Sequence, residues 1–125
     1  MLGDKNGREG VISKKLSPYE IYILDKFISY IAKKSFLDKL VLFGSRSLSK
    51  GYSNEESDMD IAVIVADKND IKNMEELIEN WINKSDITGF LFHPLVIDKK
   101  TYKKIPLGKS IDGGDILWNR KTYSR

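Results

Sequence analysis

Apolar residues recur along the first third of the chain at three- and four-residue intervals: Ile21, Leu24, Phe27, Ile28, Ile31 and Ala32. That spacing predicts one buried stripe on a helix of about five turns. Its start is written in Ser17-Pro18-Tyr19-Glu20. Ser17 can cap, Pro18 suits the first helical position, and Glu20 can close a capping box. The pattern then shortens. Lys39 to Phe43 predicts a short strand, and Met59 to Ala66 a longer one rich in Ile and Val. Asn69 or Asp70 can cap a second helix carrying Ile71, Met74, Leu77, Ile78, Trp81 and Ile82 on one face. Thr88 to Ile97 predicts a third strand, and Pro94 inside it calls for an edge position or a bulge. Asp98 can cap a Lys-rich turn of helix through Tyr102, and Gly113-Gly114 breaks the chain before a last apolar piece, Ile116-Leu117-Trp118. The order helix, strand, strand, helix, strand, short helix predicts an α/β (α+β) architecture, a small mixed β-sheet packed by helices.

Length makes this one domain. The chain has 125 residues, enough for a single core of modest size. Residues 1–16 are expected to form a loose arm, 17–118 the domain, and 119–125 a basic tail. The longest purely apolar run, Ile61 to Ala66, is far too short to span a bilayer. The polar, Gly-rich start MLGDKNGREG contains no signal-like core. No cysteine is present, which excludes disulfides, thiolate metal sites and a cysteine nucleophile. A cytoplasmic location is therefore expected, with no membrane association.

Charge alters the picture through its distribution. The formal net charge of +3 conceals nine acids against two lysines in residues 51–79, and eight Lys/Arg against two acids in residues 99–125. An acidic block between basic segments suits a metal site that receives a polyanion. It equally suits lysine-rich helices with solvated faces, the commoner case.

The stretch VLFGSRSLSKGYSNEESDMDIAVIV, residues 41–65, carries the chemistry. Residues i and i+2 of a strand face one side, so Asp58 and Asp60 aim at one point while Met59 and Ile61 face the other way. Two converging carboxylates repel unless a cation lies between them. Magnesium commonly uses one or two carboxylates together with substrate phosphates. Gly44 follows a strand directly and lets backbone approach a ligand with no Cβ in the way. Ser45 can cap a turn through Arg46-Ser47-Leu48 whose free N–H groups face an anion, and Arg46 adds a guanidinium suited to phosphate. Alone, an Asp-x-Asp or a Gly-Ser after a strand is usually just a turn. The ordered combination is far more specific.

Gly44-Ser45, Gly51 and Ser57-Asp58-Met59-Asp60 followed by Ile61-Ala62-Val63 resemble the signature of the minimal nucleotidyltransferases, small members of the DNA polymerase beta-like nucleotidyltransferase superfamily. The likeness extends from the helix before Leu40 to Gly114-Asp115-Ile116-Leu117-Trp118, roughly residues 17–118. It implies a palm-like nucleotidyltransferase fold. It implies that Asp58 and Asp60 bind catalytic Mg2+, with Mn2+ as an alternative, and that Gly44, Ser45, Arg46 and Ser57 hold a nucleoside triphosphate. It implies transfer of a nucleoside monophosphate, often AMP from ATP. It further implies a helical HEPN-type protein partner, this chain being the antitoxin of a toxin–antitoxin pair.

Two departures stand out. The segment from Gly-Ser to the first Asp is longer by two residues than in the family, the excess falling in Ser47-Leu48-Ser49-Lys50. A third carboxylate is also expected on the neighbouring strand, where the family's register places His93. Asp98 lies five residues on, about 16 Å away at 3.3 Å per residue and on the other face, so it reads as a helix cap. His93 could accept a proton or bind manganese, but the favoured reading is an ordinary strand histidine bonded to backbone. The alternative to an active transferase is accordingly an antitoxin or regulator that keeps the fold and acts by binding. Nucleic-acid binding through Lys99, Lys100, Lys103, Lys104 and Lys109 ranks last, for want of interleaved aromatics. Self-association is left open.

Overall fold

The computed structural model describes residues 16–44, 59–85 and 92–120. Helix α1 (Pro18–Ile31) opens with the expected capping box. The Ser17 hydroxyl accepts from the Glu20 N–H at 3.1 Å, and the Glu20 carboxylate accepts from the Ser17 N–H at 2.8 Å. It ends at Ile31, with Ala32, the last apolar position of the expected stripe, as its C-cap, and its buried face is Ile23, Leu24, Phe27, Ile28 and Ile31. Leu16, assigned to the arm by sequence, is buried in the same core.

Strand β1 (Leu37–Phe43) pairs antiparallel with β2 (Met59–Val65). The register shifts between Leu37 and Lys39, and this extra residue lets Leu37 share a face with Leu40 and Leu42. After β2, the Asp67 carboxylate caps a 3₁₀ turn, Lys68–Asp70, by accepting from the Asn69 N–H at 2.9 Å. That turn feeds α2 (Ile71–Ser85), so neither Asn69 nor Asp70 is the capping residue. Met74, Ile78 and Trp81 are buried on α2, and Trp81 meets Phe27 of α1 edge-to-face at 5.2 Å between ring centroids.

Strand β3 (Phe92–Asp98) lies parallel to β2 on the outer edge of a sheet ordered β3-β2-β1-β4. Pro94 therefore sits on an edge strand, where its missing N–H spoils no central ladder, and the β2/β3 register runs without a shift. Residues 88–91 of the expected third strand lie outside the described residues. Asp98 caps α3 (Lys99–Tyr102), its carboxylate accepting from the Thr101 N–H at 3.1 Å. Hydrogen bonding to Thr101 holds the Asp98 carboxyl below the usual range.

Two elements were not foreseen. Leu107–Asp112 forms a further helix, α4, and Asp115–Asn119 forms β4, antiparallel to β1. A register shift opposite Leu40 and Val41 accommodates both Leu117 and Trp118 in the main core. Arg120, assigned to the tail, donates to the Lys34 and Leu37 carbonyls at 2.8 and 3.1 Å, so the folded body runs to this residue.

The sheet separates two apolar layers. Leu40, Leu42, Met59, Ile61, Val63 and Val65 face α1 and α2. Val41, Phe43, Ala62 and Ile64 face the opposite way, with Ile97, Tyr102 and Ile111. Among the described residues, no helix is long and apolar enough to cross a membrane.

Candidate functional site

Alternation places Asp60 on the face of Ala62 and Ile64, while Met59 and Ile61 are buried on the other side. At the entry to β2 it stands between Phe43 of β1 and His93 of β3 in the ladder. Its side chain retains about a third of its exposure, 34%. A carboxylate is tolerable here because the strand end opens to solvent, whereas two residues further on Ala62 is fully buried.

Gly44 leaves β1 with φ of +81°, the left-handed region that glycine enters without a Cβ penalty. Space demands glycine as strongly. A Cβ here would stand 2.5 Å from Asp60 Oδ2 and 3.4 Å from Asp60 Cβ and Cγ. The sequence motif thus has a physical cause: the β1 turn packs directly onto the carboxylate of β2. For Gly44→Ala, we expect a loss of about 1–2 kcal/mol in urea unfolding and displacement of the Asp60 carboxylate. Retained stability together with an unchanged site would show that the turn can relax.

His93 is the other neighbour. Its Nδ1 lies 3.2 Å from Asp60 Oδ1, and its side chain is 69% exposed. An ionised carboxylate only accepts, so Nδ1–H is the donor. The histidine is thus bonded to the site carboxylate, not to backbone as the sequence favoured. The contact fixes Oδ1 toward β3 and leaves Oδ2 on the Gly44 side. In the β2/β3 ladder His93 is level with Asp60.

Asp98 is level with Val65, at the far end of β3 and engaged in capping. It cannot reach Asp60. Among the described residues, no three His, Asp or Glu side chains converge as a metal-binding group. Ser45, Arg46, Ser57 and Asp58 lie outside the described residues. Gly114, expected to break the chain and open the closing motif, packs behind the β1 end. A Cβ there would lie 2.5 Å from the Leu42 carbonyl and 3.1 Å from Phe43 Cβ, so β4 packs tightly behind the β1 end.

Residues 25–120 match the family model described as "Polymerase beta, Nucleotidyltransferase". The chain belongs to this family. A solved chain described as a "putative nucleotidyltransferase from Sulfolobus solfataricus" shares the nucleotidyltransferase fold. It superposes with a TM-score of 0.54 over 90% of this chain and 92% of that one, at 16% identity. No curated protein matches the chain. As a nucleotidyltransferase-family domain, the protein joins a mixed four-stranded sheet to a strand-end carboxylate beneath a glycine turn.

Proposed function

We propose that this protein transfers a nucleoside monophosphate, AMP from ATP, to a HEPN-type helical partner protein in the cytoplasm, as the antitoxin of a toxin–antitoxin pair. The observation that carries the transferase reading is the left-handed Gly44 turn packed against the partly exposed carboxylate of Asp60. The partner and the antitoxin role rest on the resemblance of the signature residues.

The donor chemistry fits a hard divalent cation. Asp60 offers Oδ2 beside the glycine turn, and Asp58 is two residues before it in the sequence. Asp58 and Asp60 would hold magnesium or manganese, which when bound would offset phosphate charge during in-line displacement. Gly44 admits backbone close to a phosphate, and Ser45, Arg46 and Ser57 supply donors for the remaining oxygens. His93 positions Asp60 through Oδ1 but brings no third negative charge.

That last feature favours a second reading, an antitoxin or regulator that works by binding alone. The test mixes the protein with its co-purified partner, α-labelled ATP and magnesium or manganese. Label is expected on the partner with the parent protein and not with Asp58→Asn. Absence of label on any acceptor with either metal would refute the transferase reading. Full neutralisation of the partner by Asp58→Asn would establish the binding-only one.

A further inference from the structure

The fold gathers lysines that the sequence keeps apart. Lys99, Lys100, Lys103 and Lys104 on and after α3 face Lys39 of β1 across a groove of about 520 Å³. Asp38 and Asn119 complete its walls, Tyr102 lies at its base, and Asp38 is the one acid among the described lining residues. Lys39 is level with Ile64 and Asn119, four residues along β1 from Phe43, the neighbour of Asp60. The groove therefore opens about 13 Å from the carboxylate site, toward the other end of the sheet.

Five ammonium groups around one concavity repel one another. Among the described residues none of the five is ion-paired. Helix α3 has no acid of its own beyond its cap. The face of Tyr102 offsets part of the repulsion, with the Lys39 and Lys103 ammonium groups each 5.9 Å from its centroid. Tyr102 adds no negative charge. Its hydroxyl donates to the Asp112 carboxylate at 3.0 Å, and burial above all pushes its pKa up to about 12.

We infer that this groove is a second binding site, separate from the carboxylate site, for a small molecule bearing a chain of phosphates. A volume of about 520 Å³ falls within the usual range for small-ligand sites, roughly 300–1,000 Å³. Single-stranded nucleic acid is disfavoured because Tyr102, the one aromatic among the described lining residues, is 2% exposed and offers no stacking platform. An acidic peptide is disfavoured because it spreads its charges over several residues. An oligophosphate concentrates three or more charges within one pocket, and lysines meet them as point charges.

Inorganic tripolyphosphate in metal-free buffer is the probe, followed by titration calorimetry at low salt. Saturable binding near one equivalent is expected, lost in 1 M NaCl, where the screening length falls to about 3 Å. Lys100→Glu with Lys104→Glu should weaken it by more than about tenfold per site. Both positions are exposed, so the variant should keep the parent's circular dichroism and melting curve. Asp60→Asn should bind as the parent does. A control with the same charge change on α2, Lys72→Glu with Lys84→Glu, should also retain binding. Absence of binding, equal loss in the control, or persistence in the groove variant would overturn the inference. So would tighter binding of a uridine 12-mer or of polyglutamate.

Discussion

An Asp60→Asn protein is expected to unfold within about 0.5 kcal/mol of the parent while losing nucleotidyl transfer on the order of a thousandfold, about 4 kcal/mol of transition-state stabilisation. The side chains are nearly isosteric, and Asp60 is partly exposed at a strand end, so packing changes little. The amide oxygen can still accept from His93 Nδ1–H, which preserves the local hydrogen bond. What disappears is a full negative charge beside the Gly44 turn, the feature on which a hard cation depends. His93→Ala tests the supporting contact and should cost less, about 10–100-fold, the usual range for a partner that orients a metal ligand. Single-turnover transfer of labelled nucleotide, read beside urea unfolding, separates the outcomes. If Asp60→Asn keeps its activity, the carboxylate is not part of the reaction. If His93→Ala matches Asp60→Asn, the histidine does more than orient its neighbour.

The sequence discloses those parts of the fold whose causes are local. The α1 start was readable because Ser17 and Glu20 satisfy each other's backbone N–H within one turn. Asp98 was readable as a cap for the same reason. The second cap was missed because a 3₁₀ turn moves the capping carboxylate back to Asp67, a geometry that apolar periodicity does not register. Strand β4 was invisible as a strand because five residues give little alternation and its pairing with β1 crosses most of the chain. The site shows the same division. That Gly44 admits close approach was legible from glycine after a strand, and Asp60 from its motif. Its contact with His93 was not: the resemblance set His93 on the neighbouring strand, yet backbone bonding was expected of it. The lysine groove is the extreme case: Lys39 and Lys104 come together only once β3 and β1 lie in one sheet.

Trp118→Ala is expected to destabilise the protein by about 3–5 kcal/mol, a large share of the roughly 5–15 kcal/mol that holds a small domain folded. Trp118 is fully buried in the main core and level with Leu40 of β1. Truncation leaves a void between the last strand and the centre of the sheet, where close packing allows only partial collapse. A second loss follows outside the core. The Arg120 guanidinium lies 4.6 Å from the Trp118 ring centroid while donating to the Lys34 and Leu37 carbonyls, so the ring helps to hold the clasp that closes β4 against the α1–β1 connection. Trp118→Phe keeps most of the volume and an aromatic face, and should cost about 1–2 kcal/mol. A cycle of Trp118→Ala and Arg120→Ala, followed by urea unfolding, should give a coupling of about 0.5–1 kcal/mol. Additive effects would mean that cavity formation alone sets the cost. The position matters for the site because β4 also carries the chain from Gly114, which packs behind Leu42 and Phe43 just before the Gly44 turn. Releasing β4 removes the backing of the strand end that sets Gly44 against Asp60. Trp118→Ala protein kept folded at low temperature should therefore lose transfer beyond its fraction unfolded.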